Sequence, residues 1–232
     1  HMSVNSILET TEKMVDKVNQ CDADIILVAG DIFTSTYGGL KNPSVYSATL
    51  SKMKAKYGVY AVPGNHDVVE NLFGGFPISP VSKAIRPVEM EEFFRDAGFN
   101  MLYDDKIEIE DNRIVIVGRK DGERAGDGTA NRMSEEKLLS GIDEDKLVIV
   151  LEHEPMNYKN LSANGADLVL SGHTHNGQLF PGNYIVPFFN ENGYGYKEID
   201  GMKTIVTGGV GYYGVPMRVG TDSEITVVNI SY

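Results

Sequence analysis

Residues 24–31 read Asp-Ile-Ile-Leu-Val-Ala-Gly-Asp, an unbroken apolar run that stops at a glycine and an acid. A run of this length without polar alternation marks a strand covered on both faces, the kind found in sheets flanked by helices. Upstream, Ser6-Ile7-Leu8-Glu9 resembles a capping box, and Val4, Ile7, Leu8, Val15 and Val18 fall on one helical face, so a helix precedes the strand. Downstream, Asn42-Pro43 would start a second helix and Gly58 would stop it. Residues 59–62 form the next strand and run into Pro63-Gly64-Asn65-His66-Asp67. A Gly- and Pro-bearing loop over residues 71–87 then leads to a helix from about Val88 to Ala97, with Gly98 beyond its end.

The second half repeats the theme with more strand. Ile107-Glu108-Ile109 and Ile114-Val115-Ile116-Val117, split by Asp111-Asn112, predict a hairpin. Residues 146–151 (KLVIVL) deliver Glu152-His153-Glu154, and residues 167–170 (DLVL) deliver Ser171-Gly172-His173-Thr174-His175. From Gln178 onward, Gly, aromatic and β-branched residues predict a second sheet, with 204–207 and 224–230 as its clearest strands. Helix and strand thus alternate in an α/β protein, and the lack of any linker or repeat makes residues 1–232 one domain.

Composition narrows the function classes. The 232 residues are 41% hydrophobic and 23% charged, ordinary for a globular chain, and the net charge of −12 with no basic run argues against a nucleic-acid surface held by counterion release. An anionic substrate is not excluded, because a bound cation reverses the local potential. Cys21 is the only cysteine, so no disulfide forms within the chain. His1-Met2 resembles an expression-vector scar and is left out of the site. The other four histidines, His66, His153, His173 and His175, all stand just past strand-like runs.

These positions share a chemistry. In an open α/β sheet the carboxyl ends of the strands lie side by side, so residues far apart in sequence converge there. The ionised Asp31 can bridge two cations, Asn65 offers a neutral carbonyl oxygen, and each imidazole binds through one ring nitrogen while the other is oriented by a neighbour. The mixed oxygen and nitrogen set suits Mn, Fe or Zn better than Ca or Mg. Each residue also has a plainer reading: Asp31 as a turn or cap residue, Asn65 as a left-handed turn, and His66 and His153 as structural hydrogen-bonding groups. Glu152 and Glu154 read as solvated strand-end charges, and Arg119, Arg124 and Arg132 as surface charge.

The order Gly30-Asp31, Gly64-Asn65-His66-Asp67, a strand-ending His153 and Gly172-His173-Thr174-His175 resembles the calcineurin-like metallophosphoesterase superfamily. The Gly-His-Thr-His-Asn-Gly-Gln segment ending at Gln178 and the tail Gly214-Val215-Pro216-Met217-Arg218 are most similar to its bacterial membrane-associated phosphodiesterases. The resemblance implies a four-layer αββα sandwich that holds two divalent metal ions (Mn, Fe or Zn). Asp31 would bridge them, Asn65, His153 and His173 would bind one, and His175 would help bind the other. It implies hydrolysis of a phosphate ester, phosphodiesters foremost, by a metal-bound hydroxide, with His66 over the phosphate as acid or charge stabiliser and Asp67 orienting its ring.

One element of the family pattern is missing. Its opening strand ends in Asp-x-His, which supplies two ligands to the first metal, and no Asp-x-His occurs in this chain. The expectation is a fold lacking its first strand because the chain starts late, with one metal or none held as it stands. Membrane association would then come through a segment preceding residue 3, while the oligomeric state is left open. The rival expectation is a non-catalytic metal-binding or protein-docking scaffold of the same fold.

Overall fold

The computed structural model describes residues 1–35, 37–73, 76–111 and 113–231, and only the backbone of Phe76 and Pro77. Its first half runs α1 (Leu8–Gln20), β1 (Ile26–Val28), α2 (Pro43–Leu50), β2 (Val59–Ala61), a small hairpin of β3 (Leu72–Phe73) and β4 (Phe76–Pro77), α3 (Val88–Asp96) and β5 (Phe99–Met101). The second half runs β6 (Asp105–Ile109), β7 (Ile114–Gly118), α4 (Glu135–Leu139), β8 (Leu147–Leu151), α5 (Tyr158–Ala163), β9 (Leu168–Ser171), α6 (Gly182–Phe189), β10 (Gly195–Ile199) and β11 (Met202–Val206). Strands β1, β2 and β5 make a parallel sheet in the order β1-β2-β5, and the larger sheet runs β10-β11-β9-β8-β7-β6.

Strand alternation sorts the side chains into layers. Along β8, Val148 and Val150 point to an outer core with Leu161 of α5 and Leu138 of α4, while Ile149 and Leu151 point to the space between the sheets. β7 divides likewise, with Val115 and Val117 outward and Ile114 and Ile116 inward. On the smaller sheet Val59 and Ala61 pack outward with Met90, Phe93 and Phe94 of α3, while Leu27, Tyr60 and Val62 face the inter-sheet core. Three cores for four layers make an αββα sandwich, as expected. No helix among the described residues is long and apolar enough to cross a membrane.

Several local expectations fail. The capping box at the start of α1 does not form: Ser6 Oγ accepts from the Ser3 amide at 2.8 Å, a competing turn bond open to any Ser before a helix. Residues 224–230 join neither sheet, and Val227 and Ile230 stay exposed; apolar alternation makes a strand only where a sheet edge is within reach. Residues 182–189, expected in a sheet, are the helix α6. The β6–β7 hairpin does form, turning through left-handed Glu110 and Asp111, while Asn112 lies outside the described residues. Beyond the end of β1 a single parallel bridge joins Met2 to Phe33, with the Met2 amide donating to Ile32 O at 2.6 Å.

Candidate metal centre

The site lies where β1, β2, β8 and β9 deliver their carboxyl ends. Two glycines permit the approach: a Cβ on Gly30 would lie 2.7 Å from Gly64 N and 2.8 Å from His153 Nδ1, and one on Gly64 would run into the Asp31 carboxylate. Asp31, His173 and His175 all take left-handed backbone, with φ of 55°, 67° and 52°. Such conformations are sparse for non-glycine residues and gather at functional sites.

His153 sits at the centre of one cluster. Its Nδ1 donates to the Ala29 carbonyl at 2.7 Å, which turns Nε2 toward the site. Asp31 Oδ2 lies 3.0 Å from that Nε2, and Asn65 Oδ1 and His173 Nδ1 each lie 3.2 Å from it. One N–H cannot serve three acceptors well. Ligands about 2.1 Å from one ion stand roughly 3.0–3.4 Å apart in octahedral and tetrahedral sets, so this crowding fits a cation.

A second cluster shares Asp31. His1 Nε2 lies 3.4 Å from Asp31 Oδ2 and 3.0 Å from His175 Nε2, and these three residues form a group able to hold a metal, as do Asp31, His153 and His173. His1 Nδ1 lies 3.0 Å from Phe33 O, so both His153 and His1 are oriented by carbonyls flanking Asp31. The sequence pattern leaves His1 outside the site and offers only Asp31 and His175 for this second position. The structure places the His1 ring in the cluster, held there by the bridge between Met2 and Phe33. A histidine at residue 1 carries no motif, so only its packing reveals it.

The charge states suit metal uptake. Desolvation opposes the charging of His153, yet the neighbouring Asp31 carboxylate pushes it up to about 10, and His153 in turn holds Asp31 below the usual carboxylate range against its own burial. Burial, reinforced by His153, lowers His173 to about 4, and burial lowers His175 to about 3, leaving both neutral as ligands must be.

His66 stands beside the clusters, its amide donating to Asp31 Oδ1 at 2.9 Å. Asp67 does not orient its ring. The Asp67 oxygens accept from the Phe33 and Gly64 amides at 2.8 and 2.9 Å, tying the β1 loop to the β2 loop, because that carboxylate follows His66 in a turn that points it back at the backbone. The His66 ring is held by Ser35, whose Oγ is 2.7 Å from Nδ1, and it stacks on Tyr213 with centroids 4.5 Å apart.

Tyr213 arrives from the Gly-rich tail. The Gln178 side chain accepts from Tyr213 N at 2.6 Å and donates to Tyr213 O at 2.8 Å, as a paired strand would. Arg218 donates to the carbonyls of His175, at 2.8 Å, and of Gly211, at 2.9 Å, fastening the tail to the second cluster. Behind His153, Glu152 is buried and not solvated as expected, with Arg119 at 2.9 Å and Arg132 at 3.5 Å; neither arginine is mere surface charge. A strand-end Glu reads as solvated unless its distant partners are known.

The comparisons with known proteins agree with this geometry. The model of the family described as calcineurin-like phosphoesterase matches residues 1–177. A Danio rerio protein named transmembrane protein with metallophosphoesterase domain is 31% identical over 93% of this chain and 47% of its own length. An Aquifex aeolicus protein named uncharacterized metallophosphoesterase is 32% identical over 96% of this chain and 78% of its own length. A Helicobacter pylori protein of the same name is 29% identical over 99% of this chain, which spans 57% of that relative. With the match running through every strand end that carries a ligand-type residue, the chain belongs to the calcineurin-like phosphoesterase family.

Proposed function

We propose that residues 1–232 form one hydrolase domain that cleaves phosphate esters, with phosphodiesters as the preferred class. The observation that carries this reading is the sharing of Asp31 Oδ2 between two clusters of metal-ligand atoms. Asp31, Asn65, His153 and His173 would hold one cation, and Asp31, His175 and His1 the other, with Mn, Fe or Zn favoured by the mixed donor set. Cations held there would supply an acidified water and neutralise phosphoryl charge.

The chain's own residues supply the rest. His66 is placed to protonate the departing oxygen or to stabilise its charge. Burial lowers its pKa and keeps the ring neutral, and the negative charge of a phosphate ester beside it would raise that pKa and favour the proton. Asp67 ties the Phe33 and Gly64 amides together and so fixes the backbone that carries Asp31 and His66. Tyr213 closes over His66 and limits water on that side.

Membrane association is supported by the names of the Danio rerio and Bos taurus relatives, both called transmembrane. It is also supported by α6, where Phe188 and Phe189 are 84% and 82% exposed a short way past His175. A decisive assay loads the protein with Mn, Fe or Zn in turn and follows a bis(nitrophenyl) phosphate beside the corresponding monoester. We expect metal-dependent turnover, faster on the diester. Metal binding without cleavage of either ester would favour the non-catalytic scaffold instead.

A further inference from the structure

Buried Ser35 and Glu70 and half-buried Arg124 form a chain behind His66. Ser35 is fully buried, and its backbone is locked from both sides: its amide donates to His66 O at 2.9 Å and its carbonyl accepts from Glu70 N at 3.2 Å. Ser35 also holds a left-handed φ of 43°, unusual for a residue with a side chain. Its Oγ lies 2.7 Å from His66 Nδ1 and 3.3 Å from Glu70 Oε1. Arg124 Nε donates to the other oxygen, Glu70 Oε2, at 3.0 Å.

Proton counting orders this chain. A carboxylate paired with a guanidinium can only accept, and a hydroxyl has one proton to give. Ser35 therefore donates to Glu70 and accepts from His66, which places the His66 proton on Nδ1 and leaves Nε2 unprotonated in the neutral ring. We propose that Ser35 and Glu70, braced by Arg124, are positioning residues that set the tautomer and orientation of His66. The inference deepens the function proposed above, because it matters to turnover only if His66 acts on the leaving group.

Glu70→Gln tests the order without emptying the space. Arg124 needs an acceptor, so the oxygen of the substituted amide turns to Arg124 and its NH2 turns to Ser35. Ser35 must then donate to His66, and the His66 proton moves to Nε2. Nitrogen-15 spectra of the imidazoles in metal-free protein should show Nδ1–H in the original chain and Nε2–H in Glu70→Gln. In the metal-loaded protein, Glu70→Gln and Ser35→Ala should each lower kcat about tenfold on a diester with a poor leaving group. KM and metal content should hold, and nitrophenyl diesters should suffer less. Combined with His66→Ala, neither change should slow the enzyme further. An unchanged tautomer in Glu70→Gln, or losses that multiply with that of His66→Ala, would overturn the relay. If Ser35→Ala does not fold, Glu70→Gln alone decides both readouts. A His66→Ala protein with undiminished kcat would remove the catalytic role of His66, yet the tautomer measurement would still judge the relay.

Discussion

The two metal-ligand clusters share Asp31 but are built in different ways. The first is built mainly from strand ends: His153 and His173 each follow the paired strands β8 and β9 by two residues, and Asn65 stands in the loop after β2. The second draws on His1, tethered by a single bridge, and on His175, in a tight turn fastened from outside by Arg218. Rigid elements hold ligands more narrowly than loops do, so the first position should bind tightly and the second should exchange.

The largest break in this comparison should come from Asp31→Asn, which keeps the acceptor for the His66 amide but removes the shared charge. Neighbours of ligands typically change metal affinity by ~10–100-fold, so a shared ligand should cost at least ~100-fold at both positions. Elemental analysis after desalting should find almost no metal; retention of one ion would show that Asp31 serves one cluster only.

Changes to single clusters come next. His173→Ala should empty the strand-built position and leave the other filled, while His175→Ala should do the reverse. Competition with a chromophoric chelator resolves two affinities in the original chain and should resolve one in each variant. Identical losses from both would mean that the positions fill as a unit.

Proton linkage sharpens the contrast further. The pKa of His153 rises from 6.5 to about 10 in the metal-free fold. Its contribution to the stability of that fold is therefore complete below pH 6.5 and is lost as pH climbs toward 10. Metal uptake runs the other way: binding expels the His153 proton, so affinity at the first position should rise by up to ~tenfold per pH unit between 6.5 and 9. His175, already neutral, has no proton to expel, and the second position should respond less. Calorimetry in buffers of different ionisation heat counts the released protons, and an equal count at both positions would contradict the assignment.

The smallest effect should be Arg218→Lys. One ammonium cannot span the carbonyls of His175 and Gly211 as the guanidinium does, so the second position should weaken by a few-fold while the first is untouched. An equal effect on both positions would mean that the tail supports the whole site.

Much of this molecule is legible in its residue pattern. The runs 24–29, 59–62, 146–151 and 167–170 carry β1, β2, β8 and β9 within a residue or two, because a strand buried on both faces must be apolar throughout. Asp31, Asn65, His153, His173 and His175 stand at or past their ends, where a cluster of ligand-type side chains is visible in residue type alone. Misreadings cluster where a side chain has a choice of partners. Ser6 turned to Ser3, Asp67 to the Phe33 and Gly64 amides, Glu152 to Arg119, and residues 224–230 found no sheet edge.

By itself, then, the sequence determined the α/β class, the strand ends and the residue types standing there, since these depend on periodicity and local backbone preference, while the four layers came from the family resemblance. Tertiary structure alone decided that His1 joins His175, that Ser35 and Glu70 stand behind His66, and that Tyr213 covers it. Those pairings join residues 31 to 174 positions apart or bring in the tail, and a hydrogen bond between such residues depends on how whole layers dock. Nothing in the local pattern of either partner records that placement.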